Sequence, residues 1–425
     1  MNKEMIPIKL EGLIDFKNGK IAPKKAGIIP IYGGNGILGY TDESNYENVL
    51  IIGRVGAYCG SVHIEKGKCW VSDNAIAGVH KQSESNEYNY YLLKCISLNK
   101  KQIGSSQPLL TQGILNRIDV NVYNDVNIRT KTASVLSALD SKIELNNRIN
   151  AELEAMAKTL YDYWFVQFDF PDKKDKPYKT SGGKMVWNEE LKREIPEGWE
   201  VQKMAEWLDI DKSGDWGKDE EEGNFTKQVI CFRGADINGL NGVDELKPPV
   251  RWILEKNSFK ILKSHDLIIE ISGGSPTQST GRLAFITDAT IKRFEHPLIC
   301  SNFCKPVSMR NKKLLYNFVY YWNSLYDNGI FFGYEGKTSG IKNLLLDSFI
   351  SSYYTVVPDE KIVEQFYDIM DNIQEKKQTA LAENQKLTEL RDWLLPMLMN
   401  GQVKVMGEKE TELSMAAEPK MKYGK

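Results

Sequence analysis

A chain of 425 residues, 41% hydrophobic and 26% charged, is long enough for two or three globular domains with ordinary cores. A net charge of −2 excludes a protein that coats nucleic acid indiscriminately, but not a specific reader whose basic residues cluster on one face. Residues 1–120 carry 14 Lys and Arg against 11 Asp and Glu, a mildly basic first third.

The opening Met1-Asn2-Lys3-Glu4-Met5-Ile6-Pro7 has no apolar signal core, and no segment is long enough to cross a bilayer. Six cysteines without a tight spacing framework suit reduced thiols, so a cytoplasmic protein without membrane contact is expected. Over 1–126, short apolar runs cut by Gly, Asn and Ser predict strands and loops. Over 127–170 a long helix is predicted. Leu136, Leu139, Ile143, Ile149, Leu153, Met156, Leu160 and Trp164 recur there mostly at spacings of three and four, among Ala, Glu and Lys. The charged, Pro-bounded run Pro171-Asp172-Lys173-Lys174-Asp175-Lys176-Pro177 ends this helix and opens a linker over 171–194. Ile195-Pro196-Glu197-Gly198-Trp199 leads into a second strand-and-loop region over 195–357. A second long helix is predicted over 358–403, with Ile362, Phe366, Ile369, Ile373, Ala380, Leu387, Leu390 and Leu394 similarly spaced. Residues 404–425 are expected to form a flexible tail.

The chain repeats itself. Leu160-Tyr161-Asp162-Tyr163-Trp164-Phe165 resembles Leu390-Arg391-Asp392-Trp393-Leu394-Leu395, 230 positions on. The same offset pairs Leu136 with Phe366, Leu139 with Ile369 and Ile143 with Ile373. Two similar seams pack most simply on each other, with Leu139, Ile143, Leu153, Leu160, Phe366, Ile369, Ile373, Leu387 and Leu390 between them. Polar positions such as Asn146 and Lys376 would then fix the register. The globular halves repeat more faintly. Leu50-Ile51-Ile52-Gly53 and its Gly-rich loop to Gly60 resemble Leu267-Ile268-Ile269-Glu270 and a longer loop to Gly281. Residues 71–79 resemble 299–307, and the loop Gly104-Ser105-Ser106-Gln107-Pro108 resembles Gly336-Lys337-Thr338-Ser339-Gly340. The fold class expected is α+β: two β-rich domains and two long helices in an antiparallel coiled coil, related by an internal pseudo-two-fold repeat.

In order, spacing and duplication, these features resemble the specificity subunits of Type I restriction–modification systems. The carriers are the Ile195-to-Trp199 lead-in, Tyr163-Trp164-Phe165, Leu394-Leu395-Pro396, the Gly-rich segments before Gly60 and Gly281, and Cys231-Phe232-Arg233-Gly234-Ala235-Asp236-Ile237. The first domain departs from the pattern, opening at Ile6-Pro7-Ile8-Lys9-Leu10 without a Trp-containing lead-in. The resemblance implies a non-catalytic subunit with two target-recognition domains, each reading one half of a split site in double-stranded DNA. It implies helices that dock two methyltransferase subunits and, through them, restriction subunits. No cofactor is expected in this chain; S-adenosylmethionine, ATP and Mg belong to the partners, which carry adenine methylation and ATP-dependent cleavage. Helices of roughly 38 residues, on the order of 57 Å, imply a fixed unread gap between half-sites.

Base reading needs Arg or Lys for guanine and Asn or Gln for adenine, on exposed loops held by a rigid frame. In the first half Tyr32, Asn35, Arg54, Tyr58, Ser105, Gln107 and Gln112 qualify. In the second, Arg233, Ser275, Gln278, Arg282, Lys337, Thr338 and Lys342 do. Lys24 and Lys25 suit phosphate contacts. Four other patterns point elsewhere than they first suggest. Gly34-Asn35-Gly36-Ile37-Leu38-Gly39 matches a dinucleotide fingerprint, but a polar turn follows and Arg54 stands where an acid is required. Pro171-Asp172 with Glu190-Leu191-Lys192 resembles a nuclease set but lies in a charged linker. His296, Cys300 and Cys304 lack a fourth zinc ligand. Pro248-Pro249, between Lys247 and Val250, is no methyltransferase loop, and no Walker A loop is present. The rival class is a coiled-coil interaction scaffold unrelated to DNA, which would favour aromatic anchors over Gly-rich polar loops.

Overall fold

The computed structural model describes residues 4–405, except 82–85, 105–107, 245, 274, 276 and 339–340; the tail from 406 onward lies outside the described residues. The chain divides into two compact units, Met1–Glu144 with Gln385–Lys425, and Leu145–Asn384. These boundaries fall inside the two long helices instead of at their ends. The reason is burial: the first helix gives Leu136 to the core of unit 1, and Tyr161 and Trp164 to the core of unit 2.

Unit 1 begins with β1 (Met5–Lys9), β2 (Ile14–Asn18), β3 (Ile29–Gly33), β4 (Gly36–Thr41), β5 (Tyr46–Gly53), β6 (Val62–Val71) and β7 (Ala75–His80). It continues with α1 (Asn86–Ile96), α2 (Gln112–Asn116), β8 (Asp119–Tyr123) and the start of α3 (Val126–Tyr161). One sheet runs in the order β2-β7-β5-β6-β3-β4, and β1 pairs with β8. Central β5 is apolar on both faces. Leu50 and Ile52 point into the core that holds Leu92 of α1, whereas Val49 and Ile51 point into a second cluster with Tyr32 and Val71.

Unit 2 takes up the rest of α3, which loosens into a π turn at Asp162–Val166. Then come β9 (Met185–Asn188), β10 (Arg193–Pro196), β11 (Glu200–Lys203), β12 (Leu208–Asp209), β13 (Phe225–Phe232), α4 (Ile237–Leu240) and β14 (Val250–Leu254). Next are β15 (Asp266–Glu270), β16 (Ser272–Gly273), β17 (Leu283–Phe285), α5 (Asp288–Lys292), β18 (Leu298–Cys300) and β19 (Cys304–Met309). The unit closes with α6 (Leu315–Asp327), β20 (Glu335–Thr338), β21 (Ile341–Leu344), α7 (Leu346–Ser352), β22 (Tyr354–Val357) and the start of α8 (Glu360–Met399). The expected linker over 171–194 is folded. β9 and β10 form a hairpin, and Phe170 stacks on Trp199 at 4.8 Å and on Tyr178 at 4.6 Å. These aromatic contacts pin down a run that its charge alone marks as a linker.

Both units repeat one topology. The pair β11-β22 corresponds to β1-β8, and β12-β19-β15 to β2-β7-β5. The ten-residue β6 is split in unit 2 into β17 beside β15 and β18 beside β13, with α5 inserted between them. Each unit sets one parallel strand pair among antiparallel ones: Tyr32 opposite Val71, and Phe232 opposite Cys300. Main-chain bonds match. Ser72 N–H donates to Tyr32 O at 2.9 Å, as Ser301 N–H does to Phe232 O at 2.8 Å. Gly60 N–H donates to Gly53 O at 2.8 Å, as Gly281 N–H does to Glu270 O at 2.9 Å. The bonds move the likeness of 71–79 and 299–307 along by one residue, so Ser72 corresponds to Ser301.

Within each unit α3 and α8 run antiparallel. In unit 1 Arg391 Nη1 donates to Asp140 Oδ1 at 2.8 Å. In unit 2 Asn146 Nδ2 donates to Asn384 Oδ1 at 2.9 Å, and Lys377 pairs with Glu154. Leu139, Ile143, Leu153, Leu160, Phe366, Ile373 and Leu387 are buried or half-buried. Ile149, Met156, Ile369 and Leu390, expected on the seam, are exposed, and so is Lys376. In each case the next residue lies inward: Asn150, Ala157, Met370, Arg391 and Lys377. A coiled coil advances by 3.5 residues, and at most of these steps the inward residue is polar or small, so the choice of apolar residues selects the wrong neighbour. Neither amide atom of buried Asn150 has a hydrogen-bond partner among the described residues. Asn150→Leu is therefore expected to raise the thermal midpoint, by about 1–3 kcal/mol of stability; a lower midpoint in scanning calorimetry would contradict this.

Candidate nucleic-acid interface

Four loops meet at one end of the unit 1 sheet. The Gly34-Asn35 turn between β3 and β4 lies against the loop after β5, where Ser61 Oγ donates to Gly34 O. A Cβ on Gly34 would sit 3.2 Å from Gly53 Cα and 3.4 Å from Tyr58 Cβ, so the two backbones touch. Arg54 N–H donates to Asn74 O at 3.0 Å, tying in the turn between β6 and β7. Leu110 N–H donates to Arg54 O at 2.9 Å, and Gly56 N–H to Pro108 O at 3.2 Å, which ties in the segment before α2.

Asn35 and Tyr58 are exposed on this surface. Arg54 is half-buried, and its Nε has no partner among the described residues. Gln112 opens α2, whose N-cap is the Thr111 hydroxyl. Tyr32 is buried, and its hydroxyl donates to Glu65 Oε2 at 2.9 Å. Burial, with help from Glu65, pushes its pKa up and holds it as a protonated, internally committed donor. Lys24 and Lys25 lie in the connection before β3, near its end remote from the Gly34-Asn35 turn, and Lys25 pairs with Asp42. Ser105 and Gln107 lie outside the described residues.

Unit 2 builds the same surface with different contents. Ile271 N–H donates to Phe303 O at 3.0 Å, and Leu344 N–H donates to Ile271 O at 2.8 Å. Three cations expected to read bases are committed inside the unit. Arg233 holds Asp236 through Nε at 2.8 Å and Nη2 at 3.0 Å, and its Nη2 also reaches Lys247 O at 2.8 Å. Arg282 grips Glu270 with two bonds of 2.8 and 2.7 Å. Lys342 Nζ lies 3.1 Å from Glu335 Oε2 and 4.9 Å from the Phe332 ring centre. Burial raises the Glu335 carboxyl, but the Thr280 and Lys342 bonds outweigh it and hold the pKa below the ordinary range. Ser275 and Gln278 close their own loop through reciprocal main-chain bonds of 3.2 Å. Lys337 and Thr338 lie on β20.

The acids Asp236, Glu270 and Glu335 are the part that sequence reasoning missed. A signal existed for one of them. Glu270 ends the apolar run Leu267-Ile268-Ile269 where unit 1 has Gly53, and a carboxylate at a buried strand end needs a cation.

The misleading patterns take structural roles. Gly34-Asn35-Gly36-Ile37-Leu38-Gly39 forms the turn and second strand of a hairpin, with Gly33 opposite Gly36. The Asp172 carboxylate accepts the Lys174 and Lys176 N–H groups at 2.7 and 2.9 Å, shaping a turn. Burial pushes the Cys304 thiol up to about 12 and the Cys300 thiol well above its usual value. Among the described residues no group of three or more His, Cys, Asp or Glu is placed to hold a metal. No helix among them is long and apolar enough to cross a membrane.

Two copies of a loop-bearing β module, each with its stretch of an antiparallel helix pair, define a scaffold class whose variable part is the loop surface. Residues 2–155 match the family model described as the Type I restriction modification DNA specificity domain. The chain is 26% identical over 342 residues to the Type I restriction enzyme MjaIX specificity subunit of Methanocaldococcus jannaschii, covering 77% of this chain and 71% of that one. It is 25% identical over 335 residues to the HindI specificity subunit of Haemophilus influenzae, covering 70% and 71%. A crystal structure of the Type I restriction–modification S subunit from M. genitalium shares the fold, with a TM-score of 0.59 over 94% of this chain and 97% of that one, at 16% identity. Over most of its length the chain is thus similar to the specificity subunits of Type I restriction–modification systems, and its residues 2–155 match their DNA specificity domain.

In the Glu270–Arg282 pair the carboxylate is buried and the guanidinium is largely so. Glu270→Ala would strand the guanidinium and is expected to cost about 3–5 kcal/mol. Calorimetry should show an earlier unfolding transition; an unchanged one would mean that the pair contributes nothing.

Proposed function

We propose that this chain reads a bipartite target in double-stranded DNA, one half-site per unit, and docks methyltransferase subunits through the outer faces of its helices. The observation that carries the reading is the duplicated loop scaffold: matched main-chain bonds hold unlike side chains in equivalent places, such as Arg54 and Ile271. A frame held constant while its tips vary suits two different half-sites. Arg54, Tyr58, Asn35 and Gln112 are the base-reading candidates of unit 1, with Lys24 and Lys25 for phosphate. In unit 2 the committed cations shift the reading toward Ser275, Gln278, Lys337 and Thr338, with Arg233, Arg282 and Lys342 shaping the loops. Restriction subunits would join through the methyltransferase subunits, and S-adenosylmethionine, ATP and Mg would be bound by those partners.

Docking is supported by an apolar stripe on the outer face of α3 in unit 2. Leu145, Ile149, Met156 and Tyr163 recur at four, seven and seven residues, and all are exposed. An outward apolar stripe on a helix that already has an inner seam suits a second protein.

The function is tested by expressing the chain with its cognate methyltransferase subunit and sequencing methylated adenines. A split motif with a fixed gap is expected; a continuous motif, or methylation by the chain alone, would refute the reading. Met156, 62% exposed, tests the docking face. Met156→Glu is expected to weaken methyltransferase binding at least about tenfold in titration calorimetry, since a charge cannot enter an apolar contact without loss. Thermal stability should stay unchanged, and unaltered binding would remove this face from the interface.

A further inference from the structure

Each unit carries one more loop element at the centre of its surface, which base-matching residue types alone do not single out. In unit 1 it is the turn Ser72-Asp73-Asn74 between β6 and β7; in unit 2 it is Ser301-Asn302-Phe303 between β18 and β19. Both turns are fixed by the same four main-chain bonds. The serine N–H is bound by the neighbouring parallel strand. The serine C=O accepts the N–H three residues on, Ala75 or Cys304, at 3.0 Å in both units. The residue before the serine accepts an N–H from the segment leading into the sheet, Lys20 at 3.0 Å or Asp215 at 2.9 Å. The last turn residue accepts Arg54 N–H or Ile271 N–H, each at 3.0 Å. A glycine backs each turn so closely that a Cβ would fall 1.9 Å (Gly19) or 2.0 Å (Gly214) from the serine carbonyl oxygen. The serines are buried, whereas Asp73, Asn74, Asn302 and Phe303 are exposed, Phe303 by 55%.

We infer that these tips, Asp73-Asn74 and Asn302-Phe303, are specificity-determining points, Asn74 in the half-site of unit 1 and Phe303 in that of unit 2. The inference rests on the DNA-reading function proposed above. A turn anchored by four main-chain bonds with its side chains exposed holds a reading group at fixed height, which base discrimination requires. The Asn74 amide matches the N6 and N7 positions of adenine, and the Phe303 ring matches the methyl group of thymine. The Asp73 carboxylate beside Asn74 repels phosphate, so the unit 1 tip fits the groove floor and not the backbone. Unlike chemistry on equivalent tips also accounts for one scaffold serving two half-sites.

The test uses the full complex with its methyltransferase subunit and a DNA library varied at every position of the target. Asn74→Ala is expected to lose discrimination at one base pair of one half-site by roughly 5- to 150-fold, leaving the other half-site intact. Phe303→Ala should relax one position of the opposite half-site by roughly fourfold, the worth of a buried methyl-sized contact, and Phe303→Leu should retain most of the preference. Uniform weakening on all sequences, or unchanged preference in both alanine variants, overturns the inference. Thermal midpoints are read alongside, and Asn74→Ser replaces the alanine variant if that one unfolds. The absence of any split motif in the unsubstituted complex would instead sink the DNA-reading function itself.

Discussion

The antiparallel pairing of α3 with α8 is the constraint on which the rest depends. Each helix is shared between the unit in which it starts and the unit in which it ends. α3 leaves the unit 1 sheet and ends among Trp199, Tyr320 and Phe366 in the core of unit 2; α8 ends with Leu398 and Met399 in the core of unit 1. Each core is therefore completed by the end of a helix that the other module launched, and neither unit is a contiguous stretch of chain. The middle of the pair is polar: Asn146 bonds Asn384 and Glu383, Asn384 bonds Asn147, and Lys377 meets Glu154. Sliding by one heptad would separate these partners and leave buried amides and an ammonium unsatisfied. A uniformly apolar seam would tolerate that slip. Polar residues there give up some stability and fix the register.

A fixed register matters because the β modules are built on the same logic. Their recurring element is a parallel strand pair whose last residues, Tyr32 and Phe232, receive the N–H of a buried serine. Around it, unit 2 tolerates large insertions. Splitting β6 into β17 and β18 admits α5 without disturbing β15 or β19, because each half keeps its own neighbour in the sheet. The loop after β5 lengthens from Gly60 to Gly281 by the same rule: the bond that closes it is kept, and only its contour grows.

Much of this was legible in the sequence, and the losses have specific causes. The duplicated helices and the strands Leu50-Ile51-Ile52 and Leu267-Ile268-Ile269 announce themselves through periodicity and unbroken apolar runs. The helix seam is misread at steps whose inward residue is polar or small, as at Asn150 and Ala157, because hydrophobicity then favours the exposed neighbours Ile149 and Met156. The stretch 171–194 reads as a linker because its charges are local, whereas the ring contacts of Phe170 come from residues on either side of the charged run. The site suffered most. Lone cations in Gly-rich loops look like DNA contacts until their acids are located, and Glu270 precedes Arg282 by twelve positions across a loop closure that sequence alone does not show.

The ion pairs change what a basic residue means in each unit. In unit 1 Arg54 has an Nε without a partner among the described residues, next to loops closed by glycine contacts and a serine hydroxyl. In unit 2 the equivalent closures are made by Glu270–Arg282 and Glu335–Lys342. A longer loop carries more conformational freedom, and a glycine contact cannot hold it; a buried, bidentate ion pair can, provided both charges are desolvated together. The cost is that these cations are no longer available to phosphate or guanine. On the function proposed above, unit 2 would meet DNA with Lys337 and with neutral polar and apolar tips, whereas unit 1 would present the Arg54 guanidinium.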